Sequence, residues 1–407
     1  MHRQRNASTT KLNRRELLRS AGALGAAAAG GLLLPDIVLA QEDPSAAVED
    51  AASRIRIAGV DPFIAIGKVY IKITTNYNVT GWGEISAMEP NVASALVKSL
   101  REILLDQNPT RIEFLWQRMY RSHRDIRGGP FMVHTISGID MALWDIAGKL
   151  WKTPVYRLLG GPVRDKLRVY TTDQAVKVAA GGSFPFSADP ADVQGLVDRV
   201  KEGRKKVGPK GAVMFDAHSC LPPATLIQFA SAIEPYDVLF IEEPWVPGNI
   251  EVCKKIRNAV KVPLATGERD RTIWEFVPYL QAQVVDIVQP DVCHSGGISQ
   301  LKKIAAIAEA YQVALAPHNT ASYLGLTASL HLAASVPLFL IHEAYTHTTP
   351  IPIPRKTWTI DNEGYASLPE GVGLCVEIDE KLLANAAEPG RKFWPDMRLK
   401  DGSVADY

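Results

Sequence analysis

Ala212-Val-Met-Phe-Asp216, Val238-Leu-Phe-Ile-Glu242 and Val262-Pro-Leu-Ala-Thr-Gly-Glu268 are three short apolar runs that each end in an acid. The acids keep one rhythm: 242 − 216 = 26 and 268 − 242 = 26. An apolar run of this length, followed by a polar loop and a helical stretch, reads as a buried parallel strand in a βα unit. Carboxylates at the carboxyl ends of successive parallel strands converge on one mouth of a barrel, where such barrels place their chemistry. Three converging carboxylates repel one another unless a cation joins them. An all-oxygen set favours a hard ion such as Mg²⁺.

The same rhythm extends outward. Strand ends are predicted at Asp216, Glu242, Gly267, Gln289, Pro317 and His342, at spacings of roughly 22–28 residues, one strand, loop and helix per unit. Ser299–Gln312, following Gly296-Gly297, has the 3-4 apolar spacing of one such helix. The barrel is assigned to residues 166–348, beginning with the strand Leu167-Arg-Val-Tyr-Thr171. Ahead of it, Gly67–Thr75 and Val79–Glu84 read as strands and Ile136–Lys149 as the strongest helix, giving a small α+β domain over residues 41–165. After Tyr345 the Pro-rich stretch Thr349–Arg355 breaks the pattern, and residues 349–407 are expected to return to the small domain. One place breaks the rhythm. Only a few residues separate Thr172 from Gln174-Ala-Val-Lys-Val178, while a crossover between parallel strands needs about 10–12. Either Gln174–Val178 is not an independent strand, or the first barrel helix is shortened or missing.

The chain has 407 residues, 46% of them hydrophobic and 22% charged, enough for a sizeable core in two domains. A net charge of +1 and a pI of about 7.7 give no basic field for nucleic acid or an anionic membrane. Residues 1–40 read as a twin-arginine export signal: Leu12-Asn-Arg-Arg-Glu-Leu-Leu-Arg19, an Ala/Gly/Leu run from Ala21 to Leu34, and a cleavage site after Ala40. That run is short and Gly-rich, so no stable membrane span is expected after processing, and the mature protein is expected in the periplasm. Cys220, Cys253, Cys293 and Cys375 show no close pairing and read as free buried thiols.

Further residues join the three acids. His218 lies two positions after Asp216, which in a strand puts both side chains on one face. His318 follows the apolar run Val313–Pro317, and Asp291, one unit earlier, is placed to orient its ring. Glu343 ends Pro337-Leu-Phe-Leu-Ile-His-Glu343. His342 reads as a satisfied barrel histidine. Taken singly, an Asp-x-His or a Glu-Glu-Pro is more often structural than catalytic. Together, at consecutive strand ends, they fit removal of a proton α to a carboxylate. A divalent ion neutralises the developing enediolate, and a histidine takes the proton. A second acid would expel a β-hydroxyl; mere reprotonation of the α-carbon would racemise.

These residues resemble the enolase superfamily, within it the mandelate racemase group, and most closely its galactonate dehydratases. The likeness is carried by Gln107-Asn-Pro-Thr-Arg-Ile, Arg127-Gly-Gly-Pro130, Gly138-Ile-Asp-Met-Ala-Leu-Trp-Asp145, Phe240-Ile-Glu-Glu-Pro244, Ala265-Thr-Gly-Glu-Arg269, Gln289-Pro-Asp291 and Val376-Glu-Ile-Asp-Glu380. It implies a capping domain over a modified (β/α)₇β barrel, an α/β fold, with Mg²⁺ on Asp216, Glu242 and Glu268. It further implies His318 as base tuned by Asp291, His218 as general acid, Glu343 stabilising the enediolate, and Lys177 facing the substrate carboxylate. The implied reaction is dehydration of a sugar acid to a 2-keto-3-deoxy acid by a homo-oligomer. Ala179 stands where racemases of the group carry a second lysine, and Asn319-Thr320 replaces the usual cysteine and proline. Gly181–Phe186 stands in place of a longer loop. The rival expectations are a racemase or epimerase and a catalytically impaired sugar-acid binder.

Overall fold

The computed structural model describes residues 54–170, 172–180, 190–344 and 354–386, together with Arg398 and residues 401–403. The expected export signal and the Gly181–Phe186 segment lie outside the described residues.

The N-terminal part is a three-stranded antiparallel sheet, β1 (Ile57–Ala65), β2 (Lys68–Thr75) and β3 (Thr80–Ile85). Helices α1 (Pro90–Leu104), α2 (Ile112–Ser122) and α3 (Pro130–Leu150) follow. The backbone of α3 presses onto β3. A Cβ at Gly83 would fall 1.8 Å from the Gly138 carbonyl oxygen and one at Gly81 2.1 Å from that of Ala142, so only glycine fits this approach. The short α4 (Val155–Leu158) leads to the barrel.

The barrel strands are β4 (Lys166–Tyr170), β5 (Ala175–Ala179), β6 (Ala212–Asp216) and β7 (Phe240–Glu242). They continue as β8 (Leu264–Thr266), β9 (Ile287–Val288), β10 (Ala314–Leu315) and β11 (His342–Glu343). Between β5 and β11 run α5 (Pro190–Val207), α6 (Pro223–Ile233), α7 (Ile250–Ala259), α8 (Thr272–Ala282), α9 (Gly297–Ala310) and α10 (Tyr323–Ser335). Strands β5 to β10 form one parallel sheet in sequence order. A parallel bridge from Leu315 to Phe339 continues it to the run before β11, and β11 pairs parallel with β4. Strands β8, β9 and β10 stop one or two residues short of the expected Gly267, Gln289 and Pro317. The chain turns away there: Gly267 has φ +142°, and Pro290 and Pro317 lack the N–H a ladder needs.

The break in rhythm is real, and both strands exist. Residues 171–174 alone join β4 to β5, too few for a helix, and Thr172 and Ala175 exchange backbone hydrogen bonds across the turn. Strand β5 is a full partner of β6 from Ala175↔Ala212 to Ala179↔Asp216. The other edge of β4 does not pair with β5. It is taken in antiparallel fashion by β13 (Tyr365–Ser367), which lies between β12 (Pro354–Lys356) and β14 (Val376–Ile378) in the chain. The C-terminal segment also touches the N-terminal part: Gly373 accepts from Val155 N at 3.0 Å, and Lys72 pairs at 2.7 Å with Glu380 of α11 (Glu380–Asn385). No described helix is long and apolar enough to cross a membrane.

Candidate active site

The barrel interior explains how the site is built. Ala175, Met214, Phe240, Ile287, Ala316 and Ile341 form one buried apolar cluster inside the strands. Side chains along a strand alternate in direction, so the residue two positions on also points inward, one layer nearer the carboxyl mouth. Those residues are Lys177, Asp216, Glu242, Gln289, His318 and Glu343. The sequence order of strands thus lays an apolar floor and sets a charged ring on it. Gly267 occupies the corresponding place on β8. A Cβ there would come 2.7 Å from the Phe276 ring and 3.0 Å from Gln289 N, so the ring position is left to backbone and the next residue, Glu268, supplies the carboxylate.

Asp216, Glu242 and Glu268 each offer an oxygen within 4.8 Å of the others. The second acid of the Glu242-Glu243 pair is committed elsewhere. It accepts from Thr266 Oγ1 at 2.6 Å, Gly267 N at 3.0 Å and Arg269 Nε at 2.8 Å. Glu242 Oε2, by contrast, is buried and has no hydrogen-bond partner among the described residues. Burial pushes the Glu242 carboxyl up to about 8 and the Glu268 carboxyl up to about 7, with the neighbouring acids adding to both. Asp216 resists the same burial and is held low, chiefly by Lys177 and then by His218. An all-oxygen set with a partnerless buried oxygen fits a hard divalent ion.

The histidines stand at the two ends of this trio. His218 Nε2 is 3.0 Å from Asp216 Oδ2. It does not reach that place by strand alternation as the sequence suggested, because β6 ends at Asp216 and His218 has φ +45°. A turn stabilised by its own N–H donating to Asp216 Oδ1 at 3.0 Å folds it back instead. Burial opposes its protonation, but the Asp216 contact raises its pKa above the ordinary value. His318 Nε2 is 3.2 Å from Glu268 Oε2, and its Nδ1 is 2.8 Å from Asp291 Oδ2. Asp291 Oδ1 is fixed by Cys293 N at 2.6 Å. Burial works against a charge on His318, yet Glu268, Asp291 and Glu343 together raise its pKa to about 10. Glu268 is the largest of these charges, so neutralising it brings the His318 pKa down again.

Lys177 is not misplaced by the short β4–β5 joint. Its Nζ lies 2.7 Å from Glu343 Oε1, 3.0 Å from Glu242 Oε1 and 3.2 Å from Asp216 Oδ2. Glu343 Oε2 accepts from Asn319 N at 3.1 Å, tying the loop after His318 to the ring. Every expected site residue therefore falls in one place. His342 lies outside it, satisfied by Glu343 O at 2.8 Å and Ser329 Oγ at 2.7 Å. The four cysteines are free and buried.

Two residues at the site had no assigned role in the sequence reading. Gln289 is buried in the ring, and neither of its amide atoms has a hydrogen-bond partner among the described residues. The two-residue alternation from Ile287 could have found it. His294 lies 3.8 Å from Asp291, donates through Nδ1 to Glu268 O at 3.1 Å, and stacks on His134 at 4.5 Å. Asp291, His294 and His318 form a second close trio. Burial first, then nearby cations, lowers the His294 pKa despite the Asp291 charge.

A capping sheet and helices joined to a parallel barrel, with acids on successive strand ends and a histidine–aspartate pair opposite, define the enolase-type class of barrel proteins. The chain belongs to the mandelate racemase/muconate lactonizing enzyme family. Its residues 65–160 match the N-terminal domain of that family and residues 164–382 the enolase C-terminal domain-like model. It is 36% identical to D-galactonate dehydratase of Ralstonia pickettii in a 368-residue alignment covering 83% of this chain and 96% of that protein. It also resembles two solved structures. One, a mandelate racemase/muconate lactonizing enzyme-like protein from Roseovarius sp. TM1035, gives a TM-score of 0.80 at 29% identity, over 86% of this chain and all of that one. The other, the 3,6-anhydro-D-galactonate cycloisomerase from Zobellia galactanivorans, gives 0.75 at 27% identity, over 82% and 100%.

Proposed function

We propose that this protein dehydrates a sugar acid of the aldonate type, galactonate or a close relative, to a 2-keto-3-deoxy acid, using Mg²⁺ on Asp216, Glu242 and Glu268. The observation that carries the reading is the pair of histidines at opposite ends of one carboxylate trio, His218 against Asp216 and His318 against Glu268. Elimination needs a proton taken at the α-carbon and another given to the departing β-hydroxyl, and two separate histidines supply both. The ion, when bound, neutralises charge developing on the substrate carboxylate.

His318 Nε2 accepts the α-proton, with Asp291 holding the ring and steadying the imidazolium. His218 donates its proton to the β-oxygen, which leaves as water. The resulting enol tautomerises to the 2-keto product. Lys177 faces the substrate carboxylate and Glu343 steadies the enediolate. The similarity to D-galactonate dehydratase supports the substrate class, and Ala179 in place of a second lysine weighs against a lysine-based racemase. We place the work in the periplasm, on the twin-arginine pattern of residues 12–19.

The test is incubation with a panel of sugar acids and Mg²⁺. A semicarbazide-reactive keto product that vanishes in His318→Asn supports dehydration. Deuterium uptake from D₂O without keto product means racemisation or epimerisation. Binding without either means a sugar-acid binder.

A further inference from the structure

Asp216 and Glu242 are strand residues, and the sheet holds both. Asp216 is in register with Ala179 on β5 and with Glu242 on β7, and Glu242 with Ala265 on β8. Glu268, the third acid, has no ladder partner among the described residues. Strand β8 ends at Thr266, and Gly267, with φ +142°, turns the chain away before the carboxylate is reached. An acid two residues beyond its ladder needs some other support if the trio is to keep its shape.

That support is an imidazole. His294, in the segment between β9 and α9, donates through Nδ1 to the Glu268 carbonyl oxygen at 3.1 Å. A carbonyl oxygen only accepts, so the proton sits on Nδ1, and Nε2 is left to face Ser86 Oγ at 3.4 Å. The main chain of His294 is fixed as well, its N donating to Asp291 O at 3.0 Å. From the N-terminal part, His134 of α3 covers the ring, with centroids 4.5 Å apart and planes 8° from parallel. His134 Nδ1 donates in turn to Ser86 O at 3.3 Å. Ser86, His134 and His294 are all buried. The ring is therefore held on its face, at its edge and at its backbone, while its one N–H is spent on Glu268.

We propose that His294 is a positioning residue for the acid centre, its Nδ1–H holding the Glu268 peptide where the β8 ladder no longer does. This rests on the metal reading above. Two of the three acids are then placed by strand pairing and the third by a side chain, one that Ser86 and His134 keep in its plane.

Mn²⁺ binding, followed by electron paramagnetic resonance on the whole protein without substrate, tests this apart from turnover. His294→Asn puts an amide N–H where Nδ1–H stands. His294→Phe keeps a ring to lie on His134 but donates nothing. The Phe variant is expected to bind Mn²⁺ about tenfold more weakly or worse, the usual cost of removing a group that orients a metal ligand, and the Asn variant to stay within about threefold of the wild type. His294→Gln, whose longer amide reaches the Nε2 side of the ring, should fall with Phe. Undiminished binding in His294→Phe overturns the proposal. Equal weakening in Asn and Phe overturns it too, since general loosening and not the lost donor would then be the cause. Should His294→Phe not fold, Gln against Asn makes the same comparison, and equal affinities there overturn the proposal. Wild-type protein that binds no Mn²⁺ sinks the metal reading itself, whereas Mn²⁺ held equally by wild type and His294→Phe sinks only the role of His294.

Discussion

Gln289 is a polar side chain kept in a charged ring with no hydrogen bond to either end of its amide among the described residues. Leaving a buried amide unsatisfied costs about 1–3 kcal/mol, so an apolar side chain of the same length should be the more stable choice. Gln289→Met is therefore predicted to raise stability by about 1 kcal/mol in a urea melt while impairing sugar-acid turnover. Lower stability would mean the amide is satisfied in the native state. Asp140 offers a second residue-level prediction, through pH. It is fully buried on α3, where burial raises its carboxyl to about 7 although Ser299 N (3.0 Å) and Ser299 Oγ donate to it. Because the folded value lies above the ordinary 3.8, its contribution is fully present below that pH and is lost as pH rises through about 7. Asp140→Asn keeps a partner for Ser299 and cannot ionise. The advantage of the variant over the wild type should widen between pH 4.5 and pH 8 by on the order of 2–4 kcal/mol. A gap that does not widen with pH refutes the assignment.

At the scale of elements the joint between β4 and β5 is what separates this barrel from a regular one. Ala212 N donates to Gln174 O at 3.0 Å and Ala180 N to Asp216 O at 2.8 Å, so even-numbered residues of this stretch face β6. In a parallel pair the odd-numbered groups then face the other edge. Among the described residues that edge carries only the Thr172–Ala175 turn and an Arg199 contact to Ala179 O. Residue-resolved hydrogen exchange should find Val176 and Val178 amides protected and the Lys177 amide exchanging at least about tenfold faster. Equal protection would mean that another strand covers the edge. How much of this was legible follows from range. The acids could be read from sequence because a strand end and a two-residue alternation are local patterns. The short joint could be read because a crossover has a minimum length. The pairing of β13 with β4 could not, since nothing in Tyr365–Ser367 itself names a partner nearly 200 residues away. His218 was placed correctly for the wrong reason: its left-handed turn depends on a hydrogen bond to Asp216, which alternation does not encode.

For the whole molecule, the question is how the N-terminal sheet and the barrel keep the ring aligned. Glu84, on β3, is fully buried and reaches the amino end of α10, accepting from Ser322 N at 2.8 Å, Gly325 N at 3.2 Å and Ser322 Oγ. A carboxylate suits that position, because a helix amino end presents unpaired N–H groups and partial positive charge. Lys68 on β2 sits 3.4 Å from Glu84 and donates to Thr320 O at 2.8 Å. The loop 319–322 is thus clasped from the N-terminal side, and the same loop gives Asn319 N to Glu343 in the ring. Removing one member of a buried charge pair leaves the other uncompensated, a loss of about 3–5 kcal/mol. Glu84→Ala should therefore lower stability by about 3 kcal/mol and slow turnover, although Glu84 forms none of the ring contacts described here. Lys68→Met with Glu84→Ala should cost less than the two single changes summed, by about 1 kcal/mol or more, since the second removal clears the stranded charge. Strict additivity in denaturant melts would show that the two act separately. Unaltered turnover in Glu84→Ala would show that the loop holds its shape without the clasp.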